Sequence, residues 1–209
     1  MGIYIFTAEK LFKYLEEDEA NPNSSKDFGK DVLPAMLNAG EKMYSYLFEG
    51  YWKDVGTIAS LWQANMDLLG DPPAFDVNDK SWKIHSRNPL APPEYIGEGA
   101  TVRNSMVALG CEIYGNVENS VLSSNVVIEK GATVKDSVIM SGTVVKAGAR
   151  IDYSIIDEDV IVGENAAVGE ARETAKGIAV LGRNVSIGKD AKISAGAMID
   201  KNIQAGEEA

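Results

Sequence analysis

With 209 residues, 45% of them hydrophobic, the chain is long enough for one large domain or two small ones with an ordinary buried core. Its net charge of −11 excludes a surface for nucleic acid, because backbone binding needs clustered lysine and arginine and no such cluster occurs. No apolar run approaches the length of a membrane span and no charged-then-apolar leader is present, so no membrane partner is expected and the cytoplasm is the expected compartment.

In chain order, Gly2 to Phe6 is a short β-type run, and Thr7 opens a helix through Glu19 with Leu11, Phe12 and Leu15 on its apolar face. Asn21 to Ser25 is a loop by composition. Val32 to Asn38 reads as a short helix that tolerates Pro34 only in its first turn, and Met43 to Phe48 as a strand. So few strands and helices cannot cover both faces of a parallel sheet, so this segment is expected to expose apolar surface unless something else packs there. The glycines before residue 71 are isolated, which leaves no glycine-rich loop whose amides could cradle a triphosphate.

The run Tyr51-Trp52-Lys53-Asp54-Val55-Gly56-Thr57 follows. Thr57 is a good N-cap, Ile58, Leu61, Trp62, Leu68 and Leu69 recur at helical spacing, and Gly70 with Asp71-Pro72-Pro73 supplies the stop. Asp54 is thereby placed just ahead of a helix N-terminus, at the end of an incoming strand. On the residues alone it either hydrogen-bonds the strand-to-helix turn or serves a metal or catalytic role. The same choice stays open for Asp27 and Asp31, as caps or ligands, and for Tyr4, Phe28 and Trp52, as core or binding aromatics.

Asp71 to Pro93 is turn-rich, with Pro72, Pro73, Pro89, Pro92 and Pro93 and one β-like piece around Trp82-Lys83-Ile84; it reads as a domain boundary. From Ile96 the chain repeats itself. The pattern x-Ser-apolar-apolar occurs at Ser105, Ser120, Ser137 and Ser154, spaced by 15, 17 and 17 residues, and a six-residue beat runs through Leu181, Ile187, Ile193 and Ile199. An aliphatic every sixth residue falls at the equivalent position of each face of a triangular coil, so coils stack aliphatic on aliphatic, with Gly or Asn at corners that demand positive φ. The beat predicts a left-handed β-helix of roughly five or six coils. Gly169 to Gly177 breaks the beat and is expected to loop out. Cys111 reads as a small buried hydrophobe, and His85, outside the repeats, as structural or solvated.

YWKDVGT followed by SLWQANMDLL closely resembles the corresponding stretch of bacterial glucose-1-phosphate adenylyltransferases, a family of sugar nucleotidyltransferases, and MGIYIF and KDFGKD resemble the family's motifs that close over the sugar phosphate. The resemblance implies that Tyr4, Asp27, Phe28 and Trp52 line a glucose 1-phosphate site and that Asp54 is one of two aspartates holding the catalytic Mg²⁺; it assigns no catalytic acid or base here. It further implies conversion of ATP and α-D-glucose 1-phosphate to ADP-glucose and pyrophosphate in glycogen biosynthesis, and a β-helix that takes part in tetramer assembly and allosteric control. Lys53 stands where many relatives have Arg, which keeps the charge but not the bidentate geometry. The family's glycine-rich nucleotide loop, its other metal aspartate and its Glu-Lys pair are missing from these residues.

The fold class is therefore mixed: a partial α/β, nucleotidyltransferase-like segment with its N-terminal half missing (1–70), a Pro-rich connector (71–95) and a single-stranded left-handed β-helix of hexapeptide repeats (96–209). The expected function is that of a C-terminal portion of the adenylyltransferase, inactive and a poor ATP binder alone. A non-catalytic assembly or regulatory subunit of the same enzyme is the alternative, and a hexapeptide-repeat acyltransferase a remote one, because the coils contain no histidine to act as base.

Overall fold

The computed structural model describes residues 2–86 and 89–209; Met1 of the MGIYIF stretch and Arg87 and Asn88 of the connector lie outside the described residues. The chain divides into two compact units, Met1–Gly50 and Tyr51–Ala209.

In the first unit, α1 (Ala8–Ala20) follows Thr7, which is extended at the N-cap. A π-helical turn, Phe28–Val32, runs directly into α2 (Leu33–Asn38), with Pro34 in the first turn of α2 where its missing N–H costs nothing. Tyr14, Val32 and Met36 are buried together, with Phe6 packed against them. That core is small. Ile5 is 99% and Tyr44 92% exposed, and Ile3, Leu37, Tyr46 and Leu47 lie open beside them, as expected of elements that cannot cover their own apolar faces. The two β-type runs, Gly2 to Phe6 and Met43 to Phe48, form no strand. A strand exists only through hydrogen bonds to a neighbour, and no described segment offers either run an edge.

The second unit begins with the YWKDVGT segment and α3 (Ile58–Met66). Thr57 and Ser60 form a reciprocal capping box, each side chain taking the other's backbone N–H. The helix stops at Met66, short of the expected Leu69, because Leu68 and Leu69 donate three residues back, to Asn65 and Met66, and tighten the last turn. The β-like piece at Trp82-Lys83-Ile84 forms no strand; both apolar side chains are exposed and no described strand pairs with it.

From Tyr95 the chain winds into three parallel sheets of six strands, each strand two or three residues long. One face stacks Ile113, Ile128, Val145, Val162 and Ile187; the next Val117, Val134, Ile151, Val168 and Ile193; the third Leu122, Ile139, Ile156 and Leu181. All of these are at most 2% exposed. At about 1.5–3 kcal/mol for each fully buried aliphatic, this column supplies most of the chain's hydrophobic stabilisation. Coils advance by 17 residues in the middle of the stack, as in Val127, Val144 and Ile161. The second face leads to the third in four residues at Ile151–Ile155 but in twelve at Val168–Val180, so eight extra residues loop out where the beat fails.

The x-Ser-apolar-apolar pattern is a corner device. The x residue, Asn104, Asn119, Asp136 or Tyr153, has φ between 42° and 49°, which turns the chain. Each following serine Oγ donates to the carbonyl two residues back, and those of Ser105, Ser120 and Ser137 also accept the N–H of the serine one coil on, each at 3.1 Å. Ser120, Ser137 and Ser154 are fully buried, so the ladder satisfies polar groups that the aliphatic stack could not.

Candidate functional site

Of the residues the sequence singles out, Tyr4, Asp27 and Phe28 lie in the first unit and Trp52 and Asp54 in the second. In the first unit, Tyr4 stacks on Phe28 with ring centroids 5.8 Å apart and planes 18° apart, and Phe6 is tilted against both at 5.9 Å. Tyr4 is 42% and Phe28 37% exposed, so each keeps ring area facing water. Asp27 caps the π-helical turn: its Oδ1 accepts the Lys30 N–H at 2.9 Å, which leaves Oδ2 unbonded among the described residues. Asp31 is a turn former. Its carboxylate takes the Ser25 hydroxyl and the N–H groups of Ser25 and Asp27, and these bonds, the Ser25 hydroxyl first, hold its pKa below the ordinary carboxylate value.

In the second unit, Asp54 is exposed. Its Oδ1 accepts the Gly56 N–H at 2.9 Å, an Asx-type turn that aims the chain into the capped start of α3. A Cβ on Gly56 would lie 3.0 Å from that oxygen, so the glycine gives the carboxylate room to close the turn. Asp54 therefore makes the turn bond and still presents Oδ2 outward, so its two possible roles are compatible. Trp52 is 51% exposed. Among the described residues no group of three or more His, Cys, Asp or Glu side chains could hold a metal, so Asp54 stands as a lone carboxylate.

Sequence reasoning missed two groups. The first is Asp67, which gathers Tyr51, Lys53 and Gln63 and whose pKa is depressed chiefly by the Gln63 hydrogen bond, then by those of Lys53 and Tyr51, against the opposing effect of burial. The second is the seat of α3. Trp62 is 3% exposed and donates its indole N–H to the Asp136 carbonyl at 2.7 Å; Tyr153 meets its ring edge-on at 4.9 Å and Arg172, from the eight-residue insertion, covers it at 4.7 Å. Val138, Ile155 and Ile178 complete the contact. Only the outward apolar residues of the third face, Val138 and Ile155, hinted at a covering element. Cys111 is buried with its thiol on the Ser123 carbonyl and its pKa pushed up by burial, a packing residue. His85 is exposed.

A W-x-D-x-G-T segment opening a capped helix, followed by six-strand parallel faces, defines a nucleotidyltransferase segment joined to a hexapeptide-repeat, left-handed β-helix. The family described as "Nucleotidyl transferase" matches residues 1–70, and the one described as "GlmU-like, C-terminal hexapeptide" matches residues 94–178. Within that class the chain is homologous to proteins named glucose-1-phosphate adenylyltransferase. It is 54% identical to that of Desulforamulus reducens over 64% of this chain and 34% of the relative, and 56% identical to that of Clostridium botulinum (strain Alaska E43) over 64% and 35%. The Bacillus cereus (strain ATCC 14579) protein is 55% identical over 64% and 36%. The matched part of the chain spans about a third of the length of these curated relatives. Among the described residues no helix is long and apolar enough to cross a membrane.

Proposed function

We propose that each unit contributes residues for the sugar phosphate to a glucose-1-phosphate adenylyltransferase, which joins ATP and α-D-glucose 1-phosphate to give ADP-glucose and pyrophosphate for glycogen synthesis in the cytoplasm. The observation that carries this reading is the placement of Trp52 and Asp54, both open to solvent on one short segment locked to α3, in a chain 54–56% identical to proteins of that name. The Tyr4–Phe28 stack offers aromatic area for the apolar side of a hexose, and the free Oδ2 of Asp27 an acceptor for its hydroxyls.

The donor set suits Mg²⁺, a hard cation that takes one or two carboxylates together with water and substrate phosphates. Asp54 would hold it through Oδ2, with Oδ1 kept on the Gly56 amide so that the ligand does not swing. Bound there, Mg²⁺ supplies charge neutralisation for the phosphates. The chain's own part is to hold the sugar phosphate and to orient it; no side chain here needs to move a proton. ATP would be held by residues outside these, since they contain no glycine-rich loop. In organisation, residues 1–70 act as nucleotidyltransferase domain, 71–95 as connector and 96–209 as the β-helix through which a homotetramer assembles.

A pyrophosphate-release assay tests this. The 209 residues by themselves should show no turnover. Joined to the segment of the Desulforamulus reducens relative that precedes the matched part, they should turn over, and Asp54→Asn should then lower kcat by about 100-fold, the loss of one metal ligand's share of several kcal/mol. Full activity of Asp54→Asn would overturn the reading.

A further inference from the structure

Asp67 stands at the C-terminal end of α3, outside the residues assigned above to substrate or metal. Its carboxylate collects donors from two directions. Tyr51 Oη and Lys53 Nζ both donate to Oδ2, each at 2.9 Å, and Gln63 Nε2 donates to Oδ1 at 2.8 Å. The Asp67 side chain is only 14% exposed and that of Lys53 31%, so this is not a solvated surface pair. Tyr51 is further held by stacking on Phe75 at 5.1 Å, and the Phe75 N–H donates to the Asp67 carbonyl at 3.1 Å. Tyr51 and Lys53, two residues apart, are drawn onto one carboxylate oxygen and so share one side of the segment, which leaves Trp52 and Asp54 exposed. Past Asp54 the backbone is held again by the Gly56 amide bond and the Thr57–Ser60 box.

We propose that Asp67 is the positioning residue of this site: through Tyr51 and Lys53 it sets the side of the segment from which Trp52 and Asp54 reach a Mg²⁺-bound sugar phosphate. The ligand in that statement rests on the function proposed above; the pinning of the segment does not. The three bonds are charge-assisted and converge on one rigid helix end, which is what a ligand group needs if small displacements are not to weaken binding.

The test uses the full 209-residue chain labelled with 5-fluorotryptophan, whose three indoles give three ¹⁹F lines, assigned with Trp52→Phe and Trp82→Phe. Without ligand, Asp67→Asn should shift and narrow the Trp52 line and leave that of Trp62 in place; Lys53→Met should do the same, Lys53→Arg far less. Glu129→Gln, which removes a paired carboxylate elsewhere, should move none of them. With glucose 1-phosphate and Mg²⁺ added, the wild-type Trp52 line should titrate, and Asp67→Asn should weaken the apparent affinity about tenfold. A Trp52 line unmoved by Asp67→Asn overturns the proposal whatever the ligand does, as does a moved line with unaltered affinity. A line that moves in the variant while the wild type ignores glucose 1-phosphate supports the pinning and overturns the assigned ligand.

Discussion

Trp62 is the side chain that seats α3 on the β-helix. Its indole buries itself on the third face of the β-helix, finds a hydrogen-bond acceptor in the Asp136 carbonyl, and is closed over by Arg172. Trp62→Ala should destabilise the chain by about 3–5 kcal/mol, the usual cost of emptying an aromatic core site, whereas Trp62→Phe should cost less and chiefly through the lost N–H bond. Urea unfolding followed by far-UV circular dichroism would check both. Asp67 makes a pH prediction at the same scale. Its folded pKa lies below its ordinary value, so its contribution to stability is present above the ordinary carboxylate range and lost as pH falls through the depressed value. Asp67→Asn should therefore flatten the acid limb of the stability profile and change little near neutrality beyond a constant offset, as read by melting temperature against pH.

At the scale of elements, the serine corners and the insertion follow different rules. Ser137 sits in the buried middle of its ladder, donating to Lys135 and accepting from Ser154, so Ser137→Ala strands the Ser154 N–H and should cost about 1–3 kcal/mol. Ser105, half-buried in the first coil, should cost clearly less; paired denaturation curves decide the order. The insertion is a separate addition to the coil. Ala179 pairs with Ser154, so Ile178 occupies the position that Tyr153 fills one coil earlier with φ at 42°. Deleting Glu170 to Gly177 with Ile178→Asn, a residue that accepts positive φ, should restore the four-residue corner and leave a cooperatively melting chain, less stable by the Ile178 and Arg172 contacts with Trp62. Acrylamide quenching of Trp62 fluorescence should rise, because Arg172 is gone.

For the molecule as a whole, the compact units and the sequence families divide the chain at different places. The nucleotidyl transferase match runs to residue 70, yet residues 51–70 pack with the β-helix, through Trp62 and its hydrogen bond to the Asp136 carbonyl. Residues 51–209, with a continuous aliphatic column, should fold and melt cooperatively when expressed alone. Residues 1–50, with three buried core side chains, should not, and should bind a hydrophobic dye. Calorimetry and dye fluorescence on the two pieces would show whether the packing boundary or the family boundary governs folding.

The β-helix and the capped α3 are legible in the sequence, because both are written in local periods: aliphatics every six residues, serines every 15 or 17, a threonine hydroxyl ahead of a helical beat. Asp54 ahead of α3 and the loop at Gly169 to Gly177 came from the same local signals. The runs at Gly2 to Phe6 and Met43 to Phe48 did not become strands, since strand pairing belongs to a neighbour and not to the residues themselves. The grip of Asp67 on Lys53 and of Asp136 on Trp62 joins residues 14 and 74 positions apart. No period or spacing encodes such contacts: the first needs the chain to fold back along α3, and the second exists only once the stacked coils have given α3 a surface to lie on.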